Sequence, residues 1–283
     1  MTLTKATKIG SSLCFTESCE AAACVPLAAA GIECVEFSFG YDYYMNRVHF
    51  PANAAMIGDS IRSVGLETWS LHLPFSSRLD ISNETAELRA ITLYTNLEMI
   101  RAGAAAGCRV IVLHPSSEPV ADDRRAERMR LSREAILMLN AECERLGVRL
   151  AVENLPRTCL CRTSDEMIEL LQGTGAGVVF DTNHSTLEDN IHYIDRLTQA
   201  GRRILTLHIS DYYRDENGVL DERHCLPGEG VNRWRDLLGA LQRHRYDGPL
   251  MYEVSRQPKN HSAPISPETL AANMRRLAAG EIL

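Results

Sequence analysis

Eight short apolar runs punctuate the chain: "KIGSSLCF" (8–15), "GIECVEFSF" (31–39), "ETWSLHLP" (67–74), "RVIVLHPS" (109–116), "RLAVENLP" (149–156), "GVVFDTNH" (177–184), "ILTLHISD" (204–211) and "GPLMYEVS" (248–255). Their β-branched and large apolar side chains suit strands covered on both faces. Between them lie longer stretches of good helix formers with apolar residues at helical spacing. The stretch 83–107 opens on Asn83 as a cap and closes on Gly107, 128–147 closes on Gly147, and 231–248 closes on Gly248, as expected where a helix ends in a left-handed residue. Strands alternating with helices in this way predict βαβ units and a parallel sheet. Eight such units fit a single (β/α)8 TIM barrel, one domain over residues 1–283, better than an open doubly wound sheet. No GxGxxG follows the first run, which weakens a dinucleotide-binding reading.

The polar residues that end these runs carry the chemistry. The third to eighth runs end, in unbroken order, on His72, His114, Glu153, Asp181, His208 and Glu253, with His184 just beyond Asp181. In a barrel the C-terminal strand ends gather at one mouth, where active sites sit. A lone strand-end histidine is more often a hydrogen-bonded core residue, and a lone carboxylate there often caps the next helix. Six in succession are different. Three carboxylates and several imidazoles in one small dry space are costly unless a cation sits among them, so Asp181 is expected to meet a divalent metal. A second cluster, "DERHCLPGEGVNRW" (221–234), follows the strand bearing His208 and Asp211. Its Asp221, Glu222 and His224 lead into Pro227-Gly228-Glu229-Gly230, a turn that lets backbone approach a ligand and a candidate rim of the same site. His49, His192, His244 and His261 take no role, and the Arg-rich run 122–134 reads as a solvated helix face.

Composition narrows the function classes. With 45% hydrophobic and 24% charged residues the chain is ordinary for a soluble globular protein. A net charge of -7 argues against a surface that neutralises nucleic-acid phosphates or docks on an anionic membrane. The N-terminal stretch shows no secretory signal and no apolar run is long enough to span a membrane. The nine cysteines include no CxxC pair, so they read as small reduced hydrophobes of a cytoplasmic protein.

Taken together, "LAVENLP", "FDTNH", "LHISD", "HCLPGEG" and "GPLMYEV" resemble, in order and spacing and over nearly the whole chain, the xylose isomerase-like TIM-barrel superfamily. That superfamily holds sugar and sugar-phosphate isomerases and epimerases, inosose dehydratases and endonuclease IV. The resemblance implies that Glu153, Asp181, His208 and Glu253 hold a central metal, Mn²⁺ or Zn²⁺ before Co²⁺ or Mg²⁺, and that Glu153 and Glu253 move the proton. The Arg that ketose 3-epimerases carry two residues after a Glu-Cys pair beyond strand seven has no counterpart here. Glu222-Arg223-His224, with His72, His114 and His184, looks more like the endonuclease IV ligand set, so these residues are expected to bind a second or third metal or the substrate. The resemblance thus implies a metal-dependent sugar isomerase or epimerase working through an enediolate beside a polarised carbonyl. The alternatives are a lyase or dehydratase on a keto-sugar or keto-glycoside, and an endonuclease IV-like phosphodiesterase. The expected partner is a small carbohydrate, with no nucleic acid and no membrane; self-association into a homo-oligomer is left open. Glu36, Trp69 and Phe75 are candidate pocket walls, and Asp211 is a further candidate substrate-binding residue.

Overall fold

The computed structural model describes residues 7–40, 49–258 and 261–283. Eight parallel strands form one sheet in the order β10 (Leu250–Tyr252), β1 (Ile9–Ser12), β2 (Cys34–Gly40), β3 (Glu67–Phe75), β4 (Val110–Leu113), β5 (Arg149–Glu153), β6 (Gly177–Asp181) and β7 (Ile204–His208). The two ends of this order meet just past β7: Ile209 N donates to Met251 O at 2.8 Å, and Glu253 N donates to Ile209 O at 3.1 Å. The sheet is therefore a closed (β/α)8 TIM barrel. Around it pack α1 (Ala21–Ala29), α2 (His49–Ser63), α3 (Ala86–Ala105), α4 (Arg125–Leu146), α5 (Ser164–Leu170), α6 (Asn190–Gln199), α7 (Trp234–Arg243) and α8 (Pro267–Ala278). No helix among the described residues is long and apolar enough to cross a membrane.

Side chains on the strands alternate between two apolar cores. The larger core lies between barrel and helices and includes Val35, Leu71, Ile111, Leu150, Val178 and Leu207. A smaller cluster fills the barrel itself: Cys34, Trp69, Val110, Val112, Ala151, Val179, Leu205 and Met251. Gly10 on β1 leaves room for this plug, since a Cβ there would sit 2.6 Å from Cys34 Sγ and 2.9 Å from Met251 Cε. Two residues further along the same strands stand Glu36, His114, Glu153, Asp181 and Glu253. A period of two puts them on the same inner side as the plug. The apolar plug thus forms the floor on which the polar residues stand.

Several local expectations change. Helix α3 begins at Ala86 rather than at an Asn83 cap; Asn83 Oδ1 accepts from Thr85 N at 2.8 Å, a turn just before the helix. Gly107 and Gly147 do take left-handed backbone past the ends of α3 and α4. Helix α7 stops at Arg243, and Arg245 makes the left-handed turn (φ 58°). Gly248 serves close approach instead: a Cβ there would lie 2.4 Å from the Tyr246 hydroxyl. The segment after His208 also folds into an antiparallel hairpin, β8 (Asp211–Arg214) and β9 (Leu220–Cys225), turned by Asp215, whose Oδ1 accepts from Asn217 N and Val219 N, and by left-handed Gly218. The Arg-rich run is not wholly solvated. Arg128 reaches Asp80 (2.5 Å) and Ser82 (2.9 Å), both buried, and Arg125 bonds Glu166 and the carbonyls of Thr158 and Cys159. None of the nine cysteines forms a disulfide, and seven are buried.

Candidate active site

Glu153, at the end of β5, is the hub of the barrel mouth. Its Oε1 lies 3.2 Å from His208 Nδ1 and 3.3 Å from His184 Nδ1; its Oε2 lies 3.2 Å from His72 Nε2 and 3.2 Å from His114 Nε2. Burial alone would push this carboxyl up, but the surrounding imidazoles, His208 and His114 foremost, hold it well below the usual carboxylate range. Glu253, just past β10, is 3.1 Å from the same His208 Nδ1. There too burial is outweighed by His208, and the carboxyl is held down. Asp181 differs. Burial, seconded by the charges of Glu153 and Glu253 and opposed by His184, raises it to about 6. His184 rises to about 9 because Asp181 and Glu153 outweigh its burial.

Two further residues hold this arrangement in place. Glu36, a candidate wall, is fully buried below the cavity: it accepts from Ser70 Oγ at 2.7 Å, and its Oε1 lies 3.0 Å from His208 Nε2. Asn154, overlooked in the sequence, bonds both backbone groups of Asp181, donating to its O at 2.9 Å and accepting from its N at 2.7 Å. Its own carbonyl accepts from His184 Nδ1 at 3.0 Å. The only sequence signal was its position directly after Glu153, because its partners lie on the next strand.

Above the floor is a cavity of about 240 Å³ whose lining includes His72, Phe75, His114, His184, His224 and Glu253. Phe75 lines the cavity and packs its ring 4.3 Å from that of His114. Trp69 is not among the lining residues; it lies in the barrel plug, donating from Nε1 to Thr206 Oγ1 at 3.2 Å. Asp211 also points elsewhere, into the loop, where it accepts from the backbone of Gly228, Gly230 and Asn232 and from Trp234 Nε1. His184 and His224 meet edge to face at 6.1 Å. Neither acid of the second cluster joins them, since Glu222 pairs with Arg157 and Asp221 with Arg223.

The donor set fits a cation. Ligand atoms of Glu153, Asp181, His208 and Glu253 lie within 4.8 Å of one another, as do those of His72, Glu153 and His208. Asp181 Oδ2 is buried with no hydrogen-bond partner, and a bare buried carboxylate oxygen is what a metal would satisfy. Three carboxylates to one imidazole is a mainly hard set that takes Mn²⁺ or Mg²⁺ and also accepts Zn²⁺.

A barrel with its donors gathered at the C-terminal strand ends defines the class, and the chain belongs to the xylose isomerase-like TIM barrel family, whose model matches residues 25–279. Among solved structures, a D-tagatose 3-epimerase-like protein is 20% identical over 97% of this chain and 98% of its own, with a TM-score of 0.77. The IolI protein with a bound zinc atom is 16% identical over 98% and 99%, at 0.78. The 3-keto-D-glucoside 4-epimerase from E. coli is 16% identical over 96% and 99%, at 0.73. At these identities the likeness is one of fold. No curated protein matches the chain.

Proposed function

We propose that this protein is a divalent-metal-dependent sugar isomerase or epimerase. The observation that carries the reading is the pair of carboxylates, Glu153 and Glu253, meeting at one histidine nitrogen on the floor of a small cavity. Glu153, Asp181, His208 and Glu253 would hold the ion, Mn²⁺ or Zn²⁺. A bound divalent ion supplies Lewis-acid polarisation of a carbonyl and its neighbouring hydroxyl.

The chain's own groups do the rest. Glu253 and Glu153 reach the cavity from strands three apart around the barrel, so a bound carbon chain would meet the two carboxylates from different directions. One carboxylate takes the proton from the carbon beside the carbonyl, and the C–H electron pair moves toward the carbonyl oxygen. The other returns a proton, to the opposite face for epimerisation or to the neighbouring carbon for isomerisation. His184, whose Nδ1 is committed to Asn154 O, has Nε2 left for a substrate hydroxyl. The cavity, just below the roughly 300 Å³ at which drug-sized sites begin, suits a monosaccharide.

The test is a panel of ketoses and keto-glycosides incubated in D₂O with Mn²⁺, Co²⁺ or Zn²⁺. The expected result is an epimer or isomer carrying deuterium at one carbon. Loss of water or of an aglycone after the same exchange would make the enzyme a lyase instead, and no exchange into any sugar with any of these metals would overturn the reading.

A further inference from the structure

Arg157 stands half exposed at the cavity mouth. Its backbone is left-handed (φ 54°), rare for a residue with a Cβ, and such residues gather at functional sites. Its side chain ties three rim segments together. Nε lies 3.1 and 2.9 Å from the two oxygens of Glu118, Nη2 donates to Glu118 at 2.5 Å, and Nη1 donates to Glu222 on β9. Among the described residues lining the cavity Arg157 is the one guanidinium or ammonium group.

A phosphate monoester is best recognised by the planar fork of an arginine, through two parallel N–H donors in a positive field. Here the Nε–Nη2 fork is filled by Glu118, and a second carboxylate sits on Nη1. Two carboxylates against one guanidinium leave this part of the rim with one negative charge in surplus. Three of the five guanidinium N–H groups are engaged, which leaves two to donate to a hydroxyl without opening the clamp. We infer that Glu118 and Glu222, by capturing Arg157, restrict this site to uncharged sugars and exclude their phosphates. The inference rests on the sugar-isomerase reading for its substrate, and it makes Arg157 with its two acids a specificity-determining group.

Calorimetric titration of the full-length protein with inorganic phosphate, and with D-fructose 6-phosphate beside D-fructose, tests it. The Glu118→Gln/Glu222→Gln variant should bind both phosphates at least tenfold more tightly than the wild type, and adding Arg157→Ala should remove the gain. Both acids are partly exposed, and circular dichroism checks that the fold is kept; Glu118→Gln alone should show a smaller gain in the same direction. Equal phosphate binding by wild type and double variant, or a gain that survives without Arg157, would overturn the inference. The phosphate readout needs no turnover, so its failure is separate from that of the isomerase reading, which is judged by deuterium in the product.

Discussion

Glu36 Oε1 and His208 Nε2 lie 3.0 Å apart on the barrel floor, with both side chains fully buried. Burial would lower the His208 pKa, but Glu36, then Glu253 and Glu153, raise it well above the usual imidazole value. A metal would take the place of the Nδ1 proton between Glu153 and Glu253, while the Glu36 carboxylate 3.0 Å from Nε2 favours keeping the proton on that other nitrogen. Glu36→Gln should therefore weaken divalent-metal affinity about 10- to 100-fold while the barrel stays folded. Calorimetric titration with Mn²⁺ or Zn²⁺ reads this directly, and unchanged affinity would remove Glu36 from any role in holding His208.

Glu253 is the more accessible of the two proposed proton carriers, with 16% of its side chain exposed against 1% for Glu153. Glu253→Gln keeps the shape and removes the base. Turnover and solvent-deuterium incorporation should fall together by about a hundred- to ten-thousandfold. Full deuterium exchange in this variant would assign the base elsewhere.

Both clusters of candidate ligands share Glu153 and His208, while His184 and His224 have no acid of the hairpin beside them. Elemental analysis of protein purified without chelator should give one equivalent of metal, unchanged by His224→Ala. Chelator should abolish turnover and a divalent ion restore it. Two or more equivalents would overturn the single-ion expectation.

Asp211 is a loop anchor. Its carboxylate accepts from Gly228 N (3.0 Å), Gly230 N (3.1 Å), Asn232 N (3.0 Å) and Trp234 Nε1 (2.9 Å). Asp211→Ala leaves these donors without a partner and should cost about 3 kcal/mol or more of stability, measured by chemical denaturation. Gly230→Ala should disturb the same loop, because a Cβ there would fall 1.8 Å from Tyr212 O and 2.6 Å from the Asp211 carboxylate carbon. A variant as stable as wild type in both cases would show that this loop is not held by Asp211.

His244 gives stability a dependence on pH. Ile204 N donates to its Nε2 at 2.9 Å, so that nitrogen is a lone pair; Nδ1–H then faces Thr198 Oγ1 at 2.7 Å, whose own hydrogen goes to Ile194 O at 2.8 Å. Burial, aided by the charge of Arg203, lowers the imidazole pKa. The unfolded chain, with a histidine near pH 6.5, then takes up the proton more readily than the folded one. Its stabilising effect is complete above about pH 6.5 and is lost as pH falls from there toward the lower folded value. The stability difference between wild type and His244→Gln should shrink between about pH 8 and pH 5. A difference independent of pH would mean that His244 does not titrate in this window.

How far the sequence reached follows from the range of each interaction. Alternation along a strand is local, so "LAVE", "VVFD" and "LMYE" already placed Glu153, Asp181 and Glu253 on the inner side of their strands, and six such ends in succession already implied one shared mouth. Partners across the barrel were not legible. That Glu36 serves His208, that Asn154 holds Asp181, and that Trp69 fills the plug instead of the pocket all depend on closure of the sheet between β7 and β10. The hairpin misled for the same reason: Asp211 and Glu222 read as site acids, yet one is taken up by loop amides and the other by Arg157, because a carboxylate goes to the nearest available donors, and those are set by how the loops fold over the mouth. The sequence by itself determined which residue types line the barrel mouth; the tertiary structure decided which of them face the cavity and which are spent holding the others, since an ion pair acts over a few ångströms of space, whatever the distance along the chain.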